Sequence, residues 1–297
     1  MGKMTGRELC RLCPRDCGAD RASGRGFCGM GEDPVLARAA LHLWEEPCIS
    51  GERGSGTVFF SGCALRCVYC QNGAISTGRY GKTITVRRLR EIFFELAAQG
   101  AHNINLVNPT HYAGSILAAM EGGMPLPVVY NTGGYDRVET LRRFDGKVQI
   151  YLPDMKYADG GLARRYSAAP DYPAVARAAI EEMYRQVGDY EIGEDGLLRK
   201  GVVIRHLILP GNLDNTRRVM DWVAETFAPG QVLFSLMSQY TPCGELSQFP
   251  ELQRRITREE YDEAMAYLER SGIEDGFFQE LSSAQEEYIP PFDLTGV

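Results

Sequence analysis

The stretch "GSGTVFFSGCALRCVYCQN", residues 54–72, carries a short apolar run, Thr57 to Phe60, that ends at Ser61-Gly62 and passes directly into three cysteines, Cys63, Cys67 and Cys70. β-Branched and aromatic residues in so short a run predict a strand, and the Gly-led segment after it predicts a loop at the strand's end. The same order recurs outward from it. Strands are predicted at 103–107 (NINLV), 127–131 (PVVYN), 148–152 (VQIYL), 202–209 (VVIRHLIL) and 232–237 (VLFSLM). Between them Leu89, Ile92, Phe93 and Leu96, then Ala176, Ala179, Ile180 and Met183, then Val219, Trp222, Val223 and Thr226 keep the spacing of one helix face, and Tyr261, Ala264, Met265 and Leu268 repeat it near the C-terminus. Strand and helix in alternation predict parallel βα units, folded as a doubly wound sheet or as a full or partial barrel. Six strands are fewer than a closed eight-stranded barrel needs. In each architecture ligands sit at the C-terminal ends of the strands. The segments there are "SGCALRC", "NPTHY", "NTGGYD", "PDMKY", "PGNLDN" and "SQYTPCG", all polar or rich in Gly and Pro, and a solvent-facing hairpin or loop is expected at 188–201.

The 297 residues, 44% hydrophobic and 24% charged, suffice for one large core or for one domain with an appendage. A net charge of -7 gives no whole-chain attraction to phosphate backbones, so no nucleic-acid partner is expected. The start "MGKMTGRELC" has no apolar leader core and no apolar run approaches 18 residues, so no membrane partner is expected and the chain is placed in the cytoplasm. Nine cysteines in that reducing setting argue for metal or redox use rather than for a disulfide framework. They fall into two groups, with Cys48 and Cys243 apart. "CRLCPRDCGADRASGRGFCGM" holds Cys10, Cys13, Cys17 and Cys28 in a Gly- and Arg-rich segment with no room for its own core, which predicts a bound metal. Zinc and an iron–sulfur cluster both suit thiolate ligands, and unsupported thiols are the remaining alternative. The expected organisation is a Cys-rich metal-binding extension over 1–50 and a barrel with a C-terminal helix over 51–297.

The second group is short of a ligand. A structural zinc site closes with four, and no His or Cys near Cys63, Cys67 and Cys70 obviously supplies the fourth. Their Cys-x3-Cys-x2-Cys spacing, with the aromatic Tyr69 before the last cysteine, resembles the signature of the radical S-adenosylmethionine (SAM) superfamily. The resemblance implies that the three thiolates hold three irons of a [4Fe-4S] cluster and that SAM chelates the fourth. One electron then cleaves the sulfonium to methionine and a 5'-deoxyadenosyl radical, which abstracts hydrogen. "EEPCISG", "INLVNPTHY", "VVYNTGGYD", "IYLPDMKY" and "QVGDYEIG" extend the resemblance over nearly the whole chain, to the pyruvate formate-lyase activating-enzyme-like family near the glycyl-radical-enzyme activases. The fold so implied is an α/β partial (β/α)6 barrel of parallel strands.

The resemblance also suggests where SAM would lie. Its ammonium ligand is sought among Asn108, Thr110 and His111 of "NPTH", where activases more often carry Gly-Gly-Glu, and the alternatives for His111 are to face substrate or to begin a helix. Asp154 and Lys156 match the activase Asp-x-Lys segment, in which the carboxylate helps bind a monovalent cation and the lysine approaches the SAM carboxylate. Asn131 and Thr132 stand where activases carry Asp-Thr, and Gly133 and Gly134 let backbone approach the ligand. Of Arg205 and His206 one must face inward, and Arg205 is expected there. The implied partners are a one-electron donor such as flavodoxin or ferredoxin and a glycyl-radical enzyme. A small molecule or peptide as substrate, and a non-catalytic metal-binding module, are the alternatives. An upstream Cys group departs from the activases, whose extra clusters follow the signature loop, so a second cluster or zinc at Cys10–Cys28 takes no role from the family.

Overall fold

The computed structural model describes residues 9–279 and 290–297, so most of the start sequence lies outside the described residues. Among the described residues the strands are β1 (Val35–His42), β2 (Ser55–Phe60), β3 (Lys82–Thr83), β4 (Ile104–Val107), β5 (Val128–Thr132), β6 (Ile150–Pro153), β7 (Glu191–Ile192), β8 (Leu198–Leu207), β9 (Leu233–Met237) and β10 (Gly276–Phe278). They form one sheet in the order β10-β9-β8-β6-β5-β4-β2-β1-β3. Six of them, β2, β4, β5, β6, β8 and β9, lie side by side in chain order and pair parallel, with helices in the connections. This is the partial (β/α)6 barrel. The hairpin expected at 188–201 is β7 antiparallel to β8.

Two flanking elements are new relative to the sequence reading. β1 runs antiparallel to β2 along its whole length, so part of the first 50 residues is sheet. The C-terminal residues add to β1: Ala39 N–H donates to Thr295 O (2.8 Å) and Leu294 N–H to Ala37 O (3.0 Å). At the other end β10 pairs parallel with β9.

The apolar stripes of the three helices between the strands are buried faces, except that Thr226 is exposed, and the last helix buries only Ala264 of its stripe. In the helix Val86–Ala98, capped by the Thr85 hydroxyl at Arg88 N–H, Leu89, Ile92, Phe93 and Leu96 are buried. Burying four such side chains contributes roughly 6–12 kcal/mol of gross hydrophobic stabilisation. In Tyr172–Val187 the buried side includes Ala176, Ala179, Ile180 and Met183, and in Leu213–Thr226 it includes Val219, Trp222 and Val223. The last helix, Arg258–Leu268, starts at a capping box of Thr257 and Glu260. Alternation along the strands sorts two environments. Ile104, Leu106, Tyr130, Tyr151, Ile204 and Phe234 point to the helices. Val129, Ile150, Leu152, Val203 and Leu233 point to the other face, where Cys48 and Ile49 from the turn after β1 join them. That apolar layer is the barrel floor.

Candidate active site

Above this floor the interior turns polar. Glu45, carried in by the same turn after β1, accepts from Asn105 Nδ2 (3.0 Å) and Asn131 Nδ2 (3.2 Å). Arg205 ties the layer together: Nε donates to Asp154 Oδ1 (2.9 Å), one terminal nitrogen to Asn131 Oδ1 (2.7 Å), and the other reaches Glu45 Oε2 (3.4 Å). Lys156 Nζ holds the second oxygen of Asp154 (2.6 Å). Glu46, itself buried, accepts from Ser235 Oγ (2.8 Å). Side-chain exposure is 9% for Glu45, 15% for Arg205, 16% for Asp154 and 21% for Lys156, so these charges interact with little screening from water. Burial alone would raise Asp154, but Arg205 and Lys156 outweigh it and hold the carboxyl below its ordinary value. Burial would lower Lys156, yet the Asp154 charge keeps the ammonium above its usual value. Glu46 is pushed up by burial, against the pull of Arg205 and Ser235.

The three signature thiols sit on the loop that leaves the end of β2. Gly62, at φ 86°, makes the turn. Asn108, after β4 and itself at φ 60°, donates to Gly62 O and lies 3.8 Å from Cys63 Sγ, so the neighbouring strand end fixes where this loop starts. Each sulfur also has a nearer polar neighbour: Leu65 N–H for Cys63 (3.3 Å), Ser167 Oγ for Cys67 (3.0 Å) and Ser76 Oγ for Cys70 (3.3 Å). Tyr69 points away into the core, where its hydroxyl meets Tyr157 (2.7 Å), Tyr157 meets Ser167 (2.7 Å), and Ser167 returns to Cys67. Burial pushes Cys63 up to about 12, with Cys67 beside it adding to the rise, and pushes Cys67 up to about 11, with Lys156 pulling it back. Lys156 borders both the thiol loop, through Leu65 across Gly133, and the polar layer, through Asp154.

The donor set fits an iron–sulfur cube. Among the described residues no three His, Cys, Asp or Glu side chains stand where a single ion would be held by all of them. Three corners of a cube need no such convergence, because each thiolate binds a different iron. Space beside the loop is kept by glycine. A Cβ at Gly133 would lie 3.2 Å from Leu65 Cδ1 and 3.5 Å from Lys156 Cε. Gly134, at φ 80°, would drive a Cβ to 2.2 Å from Asp154 O.

The other predicted residues are placed as follows. Thr110 and Thr132 turn their hydroxyls to the buried Asp136, which also accepts from Tyr130. His111 is buried with Nε2 at 2.8 Å from Ser61 O, and burial lowers it to about 4. Both threonines and this histidine therefore brace the strand ends with the atoms that could otherwise meet a ligand. His206 faces the helix Leu213–Thr226 through Thr216 (3.0 Å), leaving Arg205 as the inward member of the pair. Cys10, Cys13, Cys17 and Cys28 lie in the N-terminal segment, apart from the polar layer. Sequence reasoning missed Glu45, Glu46, Asn105 and Asp136. The two glutamates sit in the quoted "EEPCISG" and Asp136 in "NTGGYD", so the signal was present as acids beside a recognised motif. A cleft of about 510 Å³ lies away from these groups, lined by Arg21, Arg25 and Arg79 among others, and none of the loop thiols borders it.

Residues 49–111 match the family model described as a 4Fe-4S single cluster domain. A protein of Methanocaldococcus jannaschii named "Uncharacterized protein MJ0674" is 30% identical over 275 residues, covering 89% of this chain and 75% of the relative. Among solved structures, Streptococcus suis SuiB bound to S-adenosylmethionine matches with TM-score 0.50 at 13% identity, over 76% of this chain and 50% of that one. SuiB bound to its precursor peptide SuiA matches with the same TM-score and identity, over 75% and 48%. The chain thus spans about half the length of SuiB, and at that identity the likeness is one of fold. Among the described residues no helix is long and apolar enough to cross a membrane. With a thiol loop at the end of the first parallel strand, the 4Fe-4S single cluster domain match over it and a relative aligned along most of its length, the chain belongs to one family with the M. jannaschii protein.

Proposed function

We propose that the chain cleaves S-adenosylmethionine reductively at a [4Fe-4S] cluster held by Cys63, Cys67 and Cys70, and uses the product to abstract hydrogen from a glycine of a partner glycyl-radical enzyme. The observation that carries the reading is the juxtaposition of three thiols on one strand-end loop with Lys156, whose ammonium holds Asp154 at 2.6 Å while its Cε and Leu65 of the loop both border Gly133. When bound, the cluster would supply the single electron that breaks the sulfonium bond. The chain's own residues do the rest. Asn108 and the hydroxyl series Tyr69–Tyr157–Ser167 hold the loop. Lys156 presents a cation toward the open side, where a carboxylate of SAM would be met, while Asp154 and Arg205 keep that ammonium charged and aimed. Asn131 and Glu45 add acceptors deeper in the barrel, on the side from which a cationic group would be attracted. A flavodoxin or ferredoxin would deliver the electron, and reduced thiols suit a cytoplasmic setting.

The test is anaerobic reconstitution with iron and sulfide, reduction, and chromatography for 5'-deoxyadenosine. Production of the nucleoside supports the chemistry, and its absence from a fully loaded, reduced protein overturns it. A glycyl-radical EPR signal on an added glycyl-radical enzyme supports the protein substrate. Turnover with a small molecule or peptide and no such signal replaces that part of the reading.

A further inference from the structure

We propose that Cys10, Cys13, Cys17 and Cys28 hold a second metal centre, closed by four thiolates, which fastens the N-terminal segment onto the signature loop. The inference rests on these four cysteines and their packing, and not on the reading of Cys63, Cys67 and Cys70.

Residues 9–34 contain no helix or strand, yet they are folded around sulfur. Cys13 and Cys28 are buried at 7% and 6% exposure, while Cys17 is exposed. Two tight turns carry the four residues. In the first, Asp16 N–H donates to Cys13 O (3.1 Å) and Gly18 N–H to Cys10 O (3.1 Å), with Asp16 and Gly18 both at positive φ. In the second, Gly29 N–H donates to Gly26 O (2.8 Å), with Gly29 at φ 82°. The turns face each other across Gly26: a Cβ there would lie 3.4 Å from both Cys17 Sγ and Cys28 Sγ. The first turn is closed further by Cys10 N–H donating to Ala19 O (2.9 Å), which keeps Cys10 and Cys17 on one loop.

Few apolar side chains of this segment reach the main core, chiefly Cys13, Cys28 and Met30. Ordering some two dozen residues of irregular backbone against their conformational entropy needs more than that. A four-thiolate centre supplies it, as in small metal-dependent folds. As the side chains stand, no three of the thiols meet at one ion, so binding must draw them inward across the gap at Gly26. Zinc and an iron–sulfur cluster share this chemistry: soft, four-coordinate by thiolate, with no position left for a substrate.

The placement gives the centre its role. Arg15, between Cys13 and Cys17, donates from Nε to Ala64 O (2.7 Å) on the signature loop and from a terminal nitrogen to Ala168 O (2.6 Å). Arg66 of the loop donates back to Phe27 O (2.7 Å), and both guanidinium groups lie over the Phe27 ring, at 4.3 and 4.8 Å. Met30 and the carbonyl of Cys28 close over Gly62, where a Cβ would fall 2.3 Å from Met30 Cγ and 3.0 Å from Cys28 O. Each turn of the cysteine segment therefore holds one part of the loop that carries Cys63 and Cys67.

The experiment uses the full chain carrying Cys63→Ser, Cys67→Ser and Cys70→Ser, so that no metal counted belongs to the signature loop. One arm is loaded with zinc, the other anaerobically with iron and sulfide, and both are desalted and analysed. The expected result is about one zinc, or about two to four irons with visible absorbance, in one of the arms. The arm that fills names the metal. Further Cys13→Ser and Cys28→Ser should lower the content at least tenfold. Less than a tenth of an equivalent in both arms before those changes would overturn the proposal. Since loss of Cys13 or Cys28 could unfold the segment, a second measurement leaves all four in place: alkylation of Cys10 and Cys17 by iodoacetamide should be at least tenfold slower in the loaded chain than after chelation. Equal rates would overturn it too. Tryptic cleavage within residues 10–31 should speed up at least tenfold on chelation, and an unchanged rate would remove the fastening role.

Discussion

Replacing Arg205 by Met tests the polar layer directly. The guanidinium is 15% exposed and bonds Asp154, Asn131 and Glu45, so its removal leaves two buried carboxylates short of a cation. Breaking a buried ion pair from one side costs about 3–5 kcal/mol. The lower end applies here. Asp154 keeps Lys156 at 2.6 Å, and Glu45 keeps the amides of Asn105 and Asn131 at 3.0 and 3.2 Å. The expected loss is therefore about 3 kcal/mol, which at a urea slope of roughly 3 kcal/mol per M moves the unfolding midpoint of the metal-free chain down by about 1 M. Adding Glu45→Gln to Arg205→Met removes one of the stranded charges and should recover about 1–2 kcal/mol, measured as the coupling in a double-mutant cycle. A midpoint shift under about 0.3 M, or strict additivity of the two changes, would refute the picture of a closed charge network.

Asp154→Asn should weaken S-adenosylmethionine binding at least tenfold, since it frees Lys156 from the carboxylate that aims it, while iron content after reconstitution stays that of the unsubstituted chain; titration calorimetry beside iron analysis checks both. His206, lowered to about 4 by burial despite its bond to Met155 O, has a folded pKa below its unfolded value of about 6.5. The unfolded chain takes the proton first, so stability present above about pH 6.5 is lost as pH falls toward 4. Between pH 7 and pH 5 this group should account for about 2 kcal/mol, read as the difference in urea midpoints between the chain and His206→Gln at the two pH values; no difference would contradict the burial of a neutral imidazole. Asp136→Ala removes the acceptor shared by Thr110, Thr132 and Tyr130, leaving Tyr130 only Thr110 Oγ1 at 3.2 Å, and should cost about 2–4 kcal/mol by thermal or urea unfolding.

The parallel strands were legible because they are short apolar runs ending in Gly- or Pro-rich segments, and the helices because their apolar stripes are what the sheet buries. β1 was not legible: in "VLARAALH" four small or charged residues dilute the pattern, and its pairing is antiparallel, decided by a contact with β2 that no local signal encodes. The thiol loop was readable from spacing alone. Glu45 and Glu46 were not, because the search for polar residues followed strand ends, whereas these two enter from the turn after β1 and become neighbours of Asn105, Arg205 and Ser235 only through the fold. His111 and Thr110 showed the converse limit. Their positions after β4 are those of ligand contacts, but their polar atoms are taken up by Ser61 O and Asp136, and a sequence does not say which partner a polar side chain will find.

The most direct measurement is iron and sulfide content of the anaerobically reconstituted chain, compared with Cys63→Ser, Cys67→Ser, Cys70→Ser and, as a control, the buried Cys48→Ser, with 5'-deoxyadenosine formation followed in each. The account predicts that each loop substitution removes about four irons and all nucleoside formation while Cys48→Ser retains both. Nucleoside formed by Cys67→Ser at the rate of the unsubstituted chain would contradict it.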